Sequence, residues 1–244
     1  MLPHAGPGRT LPAPSTPVGG RRFVAVSAHD DVAAMREEYS AGGLDSSDLA
    51  DDPVTMFGRW FDQARAAGLH EPNAMVLATA SDAGRPAART VLLKGYDERG
   101  FRFFTNTASA KGEHLAGNPA CSLLFPWHPL ERQVRVEGVA EPLPREEVQA
   151  YFDSRPRGSR LGAWASDQSR PVADRAALEA AWAAAEARFA GVEDVPVPPH
   201  WGGYVVRAWR VEYWQGRPNR LHDRFLYERD HVDATTWRTV RLAP

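Results

Sequence analysis

The middle of the chain alternates short apolar runs with polar turns, which is the pattern of antiparallel β-strands. In residues 132–141, for example, Val134 and Val136 fall on one face and polar side chains on the other. Polar turns at residues 81–84 and 97–100 separate neighbouring runs. We predict strands over residues 74–80, 87–96, 101–105, 121–127, 132–141, 203–214, 220–228 and 237–242.

Apolar residues at helical spacing predict helices outside these runs. The strongest begins at Asp52-Pro53 and places Met56, Trp60 and Ala64 at helical intervals. We predict further helices over residues 32–39, 109–116, 144–154 and 174–189. Many short strands with helices inserted late favour a mainly β (α+β) fold, an antiparallel barrel with peripheral helices. The chain has no GxGxxG or GxxxxGK[ST] segment, so neither a Rossmann site nor a P-loop is supported.

Composition changes this picture mainly at the N-terminus. The first 20 residues contain five Pro and four Gly. A segment of this composition buries too little apolar surface to offset the entropy lost when it is ordered. We therefore predict a disordered arm over residues 1–30 and a single folded domain over residues 31–244. The net charge of −2 draws the chain to neither nucleic acid nor an anionic membrane, so an anion site requires a local cluster of cations.

The single cysteine and the lack of long apolar runs suggest a cytoplasmic protein. Cys121 has no partner for an internal disulfide, and it lies in an apolar run typical of a buried small side chain. No run approaches the ~18 apolar residues of a membrane span. The apolar stretch after Arg21-Arg22 is too short for an export signal. No HExxH or similar spacing indicates a metal site.

Three segments carry candidate chemistry, and the residues alone leave each one open. If residues 220–228 form a strand, Arg220, His222 and Arg224 share one face, which is either an anion or aromatic-ring site or a solvated surface. Arg89 and Lys94 bracket an apolar run at an odd separation. On a regular strand they would face opposite ways, as contacts for two ligands or as solvated ends.

The third segment runs from Tyr151 to Ser159. Tyr151 and Arg155 are four residues apart and share a face if the helix continues, with Ser159 just beyond its end. A phenol, a guanidinium and a hydroxyl form a plausible phosphate clamp. A helix C-terminus with surface charge is the alternative.

Taken together, these segments and several others occur in an order that resembles the pyridoxine/pyridoxamine 5′-phosphate oxidase family. The resemblance runs from about Arg36 to the C-terminus, and Trp-Gln-Gly followed by Arg-Leu-His-Asp-Arg is its most specific part. The other matching segments are residues 89–94, 104–106, 122–127, 131–134, 151–157, 162–164, 168–169, 201–203 and 241–244.

The resemblance implies an FMN-binding split β-barrel that works as a homodimer with FMN at the subunit interface. For FMN it implies contacts from Arg89, Thr90, Val91, Leu92, Lys94, Phe104, Thr105, Lys111, Gln133, Gln168, Ser169, Trp214 and Arg224, with Arg89 and Lys111 at the phosphate. For the substrate it implies contacts from Lys94, Tyr151, Arg155, Ser159, Arg220 and His222, and from Arg36 and Tyr39 in a segment that covers the pocket.

The implied reaction oxidises pyridoxine or pyridoxamine 5′-phosphate to pyridoxal 5′-phosphate. Hydride passes from substrate C4′ to flavin N5, and dioxygen reoxidises the flavin to give hydrogen peroxide; Arg220 and His222 are the catalytic candidates. A phenazine-type flavin oxidase and a non-catalytic flavin or pyridoxal phosphate carrier are the alternatives. The family usually has Arg-Lys where this chain has Ala110-Lys111, and one lost phosphate partner would cost about 1–3 kcal/mol of FMN binding.

Overall fold

The structure is a computed structural model in which residue 35, residues 38–40 and residues 42–244 are described. The predicted arm over residues 1–30, Arg36 and most of the predicted helix over residues 32–39 lie outside the described residues. Residues 38–244 form one compact unit.

Within the described residues, nine antiparallel strands form one sheet. They are β1 (Ala74–Ala80), β2 (Pro86–Leu92), β3 (Gly95–Asp97), β4 (Gly100–Asn106), β5 (Ala120–Trp127), β6 (Arg132–Pro142), β7 (Trp201–Gln215), β8 (Asp223–Glu228) and β9 (Arg238–Leu242). Hydrogen bonds join β2, β1, β5, β6 and β7 in that order, and the sheet then divides.

The division occurs along β7, which is long enough to pair with two different strands on one edge. Its first half, from Trp201 to Val206, pairs with β4, and β4 continues to β3. Its second half, from Arg210 to Gln215, pairs with β8, and β8 continues to β9. Because β2 and β4 also pack together without pairing, the sheet curls into the predicted split barrel with helices on its outside.

Five α-helices lie in the described part of the chain: α1 (Pro53–Ala66), α2 (Ala110–Gly117), α3 (Arg145–Asp153), α4 (Arg157–Ala165) and α5 (Arg175–Arg188). Asp52 caps α1 by accepting hydrogen bonds from the backbone N–H groups of Val54 and Thr55, as the Asp-Pro pair predicts. None of these helices is long and apolar enough to cross a membrane.

The core fills the barrel and the space beneath α1. Phe57 of α1 is fully buried against Phe101 and Phe125, with ring centroids 5.0 and 4.9 Å away. The hydroxyl of Tyr213 donates a 2.6 Å hydrogen bond to the carbonyl of Pro53, so the helix start is attached to the barrel wall. Cys121 is buried, as expected, and burial raises the pKa of its thiol to about 12.

Two local predictions were wrong, and one helix was not predicted. The predicted strand over residues 87–96 is two strands, because the chain leaves β2 at Leu92 and the Lys94 N–H donates to the Arg102 carbonyl near the start of β4. The predicted strand from Arg220 begins only at Asp223. Helix α4 was not predicted: α3 ends at Asp153, and Pro156 precedes the first residue of α4 only three residues later.

Candidate functional site

The first candidate group surrounds Lys111, the second residue of α2. We call Thr79, Arg89, Ser109, Lys111 and Gln168 the Lys111 cluster. Lys111 Nζ donates to Gln168 Oε1 at 2.8 Å and to Ser109 Oγ at 3.1 Å. Arg89 Nη1 donates to Thr79 Oγ1 at 2.7 Å. The hydroxyl and amide oxygens that receive these bonds are all neutral.

Two cations therefore lie close together at the start of a helix. Burial lowers the pKa of Lys111, and the charge of Arg89 lowers it further. Burial also lowers the pKa of Arg89. No carboxylate is among the groups in the described residues that shift either pKa. Such a pair at a helix N-terminus suits an anion, because a bound phosphate would relieve the repulsion between the two cations.

The local chain geometry places the start of α2 at this cluster. A Cβ added to Gly112 would lie 2.1 Å from the Thr107 carbonyl oxygen, so only glycine allows the helix to pack this closely on the end of β4. Ser109 precedes the helix, but its hydroxyl donates to the Asn106 carbonyl at 2.7 Å instead of capping the helix. The Ser109 oxygen is thereby held ready for Lys111.

The second group lies beside the first half of β7, and we call Lys94, Phe104, Tyr151, Arg155 and Trp201 the Arg155 cluster. The rings of Phe104 and Tyr151 stack with centroids 3.9 Å apart and planes 14° from parallel. Lys94 Nζ lies 5.9 Å from the Tyr151 ring centroid. The guanidinium of Arg155 lies 4.2 Å from the ring centroid of Trp201. Lys94 and Lys111 are the only lysines in the sequence.

Arg155 differs from the other arginines of the described residues that have an unpaired buried nitrogen, because it has no carboxylate within 4 Å. Nη1 has no hydrogen-bond partner among the described residues, and burial lowers the pKa of the guanidinium, partly offset by Tyr151. A buried charged donor without an acceptor is costly, so it indicates a missing anionic partner. Helix α4 begins two residues later, and Ser159 lies exposed in its first turn, where backbone N–H groups favour anions.

The third group lies at the other end of β7. Gln133 of β6 pairs with Trp214 of β7, which pairs with Arg224 of β8, so these three side chains share one face of the sheet. The Trp214 ring lies 4.6 Å from that of His222 and 5.8 Å from that of Tyr39. We call these five residues the Trp214 cluster.

His222 is held in a defined tautomer. The backbone N–H of Arg217 donates to His222 Nδ1 at 3.1 Å, so Nδ1 carries no proton and the neutral ring is protonated at Nε2. Burial lowers the pKa of His222, and the charges of Arg220 and Arg224 lower it further, although Asp223 opposes them. The ring therefore presents an N–H donor at neutral pH.

The structure corrects the reasons that we gave for two groups. Arg220, His222 and Arg224 do not alternate along one strand, because Arg220 ends a 3₁₀ turn with a positive φ of 61°. Arg220 and Arg224 nevertheless both lie close enough to His222 for their charges to lower its pKa. Tyr151 and Arg155 do not share a helix face, since α3 ends at Asp153, and Ser159 lies inside α4 rather than beyond a helix.

The predicted residues of β2 lie on an edge strand. Thr90, Val91 and Leu92 pair only with β1, which leaves the other backbone edge of β2 without a strand partner in the described sheet. Thr105 is buried near the end of β4. Ser169 follows Gln168 in the loop before α5 and has a positive φ of 71°.

Sequence reasoning missed four residues that hold the predicted ones in place. They are Thr79, Ser109, Trp201 and Glu212, and each contacts a predicted cation. Trp201 was part of a matching segment but had no assigned role. The others are ordinary polar residues in strands or loops, and nothing in their spacing marks them.

One chain does not bring all three clusters together. Trp201 is the first and Trp214 the fourteenth of the 15 residues of β7, so at about 3.3 Å per residue they lie on the order of 40 Å apart along the strand. Among the described residues, no hydrogen bond, ion pair or ring contact joins the Trp214 cluster to the other two. In the part of the chain that the structure describes, no group of His, Cys, Asp and Glu side chains is arranged to hold a metal ion.

Two family models match this chain. The one described as pyridoxamine 5′-phosphate oxidase matches residues 61–189, and the one described as pyridoxine 5′-phosphate oxidase C-terminal dimerisation region matches residues 201–244. A pyridoxine/pyridoxamine 5′-phosphate oxidase of Nocardioides sp. is 61% identical over 88% of this chain and 99% of the relative. One from Rubrobacter xylanophilus is 57% identical over 89% of this chain and 98% of the relative.

Two solved structures are also similar to this chain. PhzG from Burkholderia lata, in complex with tetrahydrophenazine-1-carboxylic acid, is 34% identical, with a TM-score of 0.77 over 84% of this chain and all of its own. A pyridoxamine 5′-phosphate oxidase-related, FMN binding protein from Nostoc punctiforme, 20% identical with a TM-score of 0.63 over 80% of this chain and all of its own, shares the fold. The chain therefore belongs to the pyridoxamine 5′-phosphate oxidase family and is an enzyme of the oxidoreductase class.

Proposed function

We propose that the enzyme uses FMN to oxidise pyridoxine 5′-phosphate and pyridoxamine 5′-phosphate to pyridoxal 5′-phosphate. The observation that carries the proposal is the Arg155 cluster, in which a buried guanidinium nitrogen near Tyr151 has no hydrogen-bond partner among the described residues. A substrate phosphate would supply the missing acceptor. The relatives at 61% and 57% identity support the same substrates.

The Lys111 cluster fits the phosphate of FMN. Arg89 and Lys111 offer two cations that have only neutral hydrogen-bond partners, and the first turn of α2 adds backbone donors. Position 110, where the family usually has arginine, is an exposed alanine in this chain and supplies no third cation. When bound, FMN would accept the two electrons that the substrate loses at C4′ and pass them to dioxygen.

The chain itself would position the substrate and supply donors. Lys94, Tyr151, Arg155 and Ser159 would hold its phosphate. Arg220 and His222 would face its pyridine ring, with His222 donating a hydrogen bond from Nε2 rather than acting as a base, because Nδ1 is occupied. Tyr39, which packs on His222 with centroids 5.6 Å apart, would shield the ring from water.

We also propose that a homodimer completes the site. The Lys111 and Arg155 clusters lie towards one end of β7 and the Trp214 cluster towards the other. FMN and a substrate bound side by side therefore cannot contact all three clusters of one chain. In a symmetric dimer, the Trp214 cluster of one subunit could lie beside the Lys111 and Arg155 clusters of its partner. The match of residues 201–244 to a dimerisation region supports this arrangement, with FMN and substrate between the subunits.

The likeness to PhzG favours a second candidate, oxidation of a phosphate-free aromatic compound. The two functions differ in what the Arg155 cluster is for. A phosphorylated substrate would pair its phosphate with the Arg155 nitrogen, whereas an aromatic substrate without an anionic group at that position would leave the nitrogen unsatisfied. A carrier that binds flavin without turnover is the third candidate.

Anaerobic reduction tests all three candidates. The FMN-loaded enzyme is mixed without oxygen with pyridoxine 5′-phosphate, and the flavin absorbance near its visible maximum is followed. We expect rapid bleaching, and hydrogen peroxide on admission of air. Pyridoxine without its phosphate, the matched control, should bleach the flavin far more slowly at equal concentration. An unchanged spectrum with the phosphorylated compound would overturn the proposal, and equal rates for both compounds would favour the phosphate-free alternative.

A further inference from the structure

Arg155 and Trp201 each have a buried nitrogen without a hydrogen-bond partner among the described residues, namely Nη1 and Nε1. Arg135, Arg160 and Arg210 also have an unpaired buried nitrogen, but each has a carboxylate within 4 Å. The described residues provide no such carboxylate for Arg155. Two neighbouring unpaired donors, one of them charged, indicate that the same acceptor is missing from both.

The position of Arg155 depends on the ring of Trp201. Arg155 lies between α3 and α4 and is followed by Pro156, so neither helix orients its side chain. Its guanidinium lies 4.2 Å from the Trp201 ring centroid and 5.6 Å from that of Phe152, whose ring meets Trp201 edge to face. Stacking of this kind fixes the plane of a guanidinium.

Trp201 itself is held firmly. As the first residue of β7 it pairs with Asn106, and its carbonyl accepts a 2.9 Å hydrogen bond from Arg145. The indole N–H lies in the plane of the ring, so it points past the ring edge and not into the stacked guanidinium. Because a phosphate has several acceptor oxygens, one phosphate could bond both Trp201 Nε1 and Arg155 Nη1.

A similar stack elsewhere in the chain shows what is special here. Arg188 lies 4.4 Å from the ring centroid of Trp164, but the Nε1 of Trp164 donates a 2.7 Å hydrogen bond to the Pro196 carbonyl. The indole N–H of that pair therefore has its acceptor within the described residues. In the Arg155–Trp201 pair the indole N–H has no acceptor among the described residues, although the two guanidinium-to-ring distances are similar.

We propose that Trp201 is a further binding residue for the substrate phosphate, as a platform for Arg155 and as a donor through Nε1. This inference rests on the proposed function, because it assigns the phosphate of that substrate to the Arg155 cluster. It adds an indole donor to the four residues proposed above to hold the phosphate.

The test measures KM, kcat and FMN content for Trp201→Phe and Trp201→Leu with pyridoxine 5′-phosphate. Trp201→Phe keeps a ring and loses the N–H, so KM should rise about tenfold or more, the usual effect of losing one hydrogen bond to a charged group. Trp201→Leu loses the platform too, and its KM should rise further. FMN content should stay unchanged, and the Ki of inorganic phosphate as a competitive inhibitor should rise in parallel with KM.

Trp164→Phe is the matched control, since it alters the Arg188–Trp164 pair and should leave KM within about twofold of the wild type. A KM for Trp201→Phe that stays within this range would overturn the inference, as would a fall in kcat alone. An equal rise in KM for Trp164→Phe would also overturn it. Failure of the proposed function is distinguishable, because the wild-type enzyme would then not oxidise pyridoxine 5′-phosphate at all.

A measurement on the wild-type holoenzyme does not depend on the stability of a variant. In a ¹H–¹⁵N spectrum, inorganic phosphate should move one indole N–H resonance downfield, as expected when a free N–H gains an anionic acceptor. The spectrum of Trp201→Phe, where that variant folds, assigns the resonance. If saturating phosphate moves no indole resonance, the donor role of Trp201 is wrong.

Discussion

Glu212 Oε1 accepts a 2.7 Å hydrogen bond from Arg224 Nε, which joins the central strand β7 to β8 on the sheet face that carries Trp214. The other carboxylate oxygen accepts a 2.7 Å bond from Arg135 Nη2 on β6. Glu212 is only 4% exposed, so one buried carboxylate holds two guanidinium groups in fixed positions. The hydrogen bond to Glu212 raises the pKa of Arg224, which stays fully charged.

We expect Glu212→Gln to weaken FMN binding by about tenfold or more, because Arg224 loses the charge that orients it. The free energy of unfolding should fall by about 1–3 kcal/mol, since two arginines lose a buried counter-ion. Titration of the apoprotein with FMN, followed by flavin fluorescence, and thermal unfolding measure the two effects.

Glu141→Gln is the control for that variant. Glu141 also accepts a hydrogen bond from an arginine, Arg207, at 3.0 Å, but it is 44% exposed and Arg207 keeps Asp233 as a partner. An exposed ion pair contributes little, so this variant should resemble the wild type. If Glu212→Gln binds FMN as tightly as Glu141→Gln does, Glu212 does not position Arg224 for the flavin.

Lys111→Met should separate FMN binding from the stability of the apoprotein. The ammonium group is held near Arg89 at an energetic cost, which the lowered pKa of Lys111 reflects. Replacing it by an apolar side chain of similar length removes that cost, so the apoprotein should unfold at an equal or higher temperature. The Kd for FMN should rise about 10- to 100-fold through loss of a charged phosphate contact.

Arg85→Met serves as the control for Lys111→Met, because Arg85 is exposed beside β2 and outside the cluster. Its Kd for FMN should match that of the wild type. A Lys111→Met variant that retains FMN at wild-type affinity would show that the cation pair does not bind the flavin phosphate.

The acidic limb of kcat/KM should lie below the ordinary histidine pKa of 6.5. Burial and the charges of Arg220 and Arg224 lower the pKa of His222, so the neutral ring persists to lower pH than it would in an unfolded chain. Its contributions to activity and stability are therefore present at neutral pH and are lost as pH falls through the lowered pKa. Protonation of Nδ1 would also break the hydrogen bond from the Arg217 N–H.

His222→Asn tests the origin of that limb. The asparagine oxygen can accept the Arg217 N–H in place of Nδ1 but does not titrate between pH 4 and 8. The limb should disappear or flatten in this variant, at a lower maximal rate. The substrate phosphate itself titrates near pH 6. A limb that is unchanged in His222→Asn therefore belongs to the substrate, and the assignment to His222 is then wrong.

Tyr213→Phe should destabilise the fold without affecting the site. The fully buried hydroxyl donates to the Pro53 carbonyl at the start of α1, and its removal leaves that carbonyl short of one donor. We expect a loss of about 1–2 kcal/mol in the free energy of unfolding, with unchanged FMN affinity. Chemical denaturation measures the first and fluorescence titration the second. A stability equal to that of the wild type would show that this hydrogen bond does not fasten α1 to the barrel.

The strands and the barrel were predictable because their cause is local. Alternation in residues 132–141 and the turns at residues 81–84 and 97–100 indicate where strands begin and end and which faces are buried, and β1 has the predicted bounds. Helix α4 was not predictable in the same way, since only three residues, the last of them Pro156, separate the end of α3 at Asp153 from the start of α4.

The candidate site was likewise predictable only in part. Sequence alone identified the residue types and, through the family resemblance, the individual cations Arg89, Lys111 and Arg155. Only the tertiary structure decided that Arg89 lies near Lys111, that Trp201 stacks on Arg155, and that the Trp214 cluster lies at the far end of β7. Those relations join residues on different elements, and they depend on strand register and on how the sheet divides. The periodicity of a single segment carries no information about either.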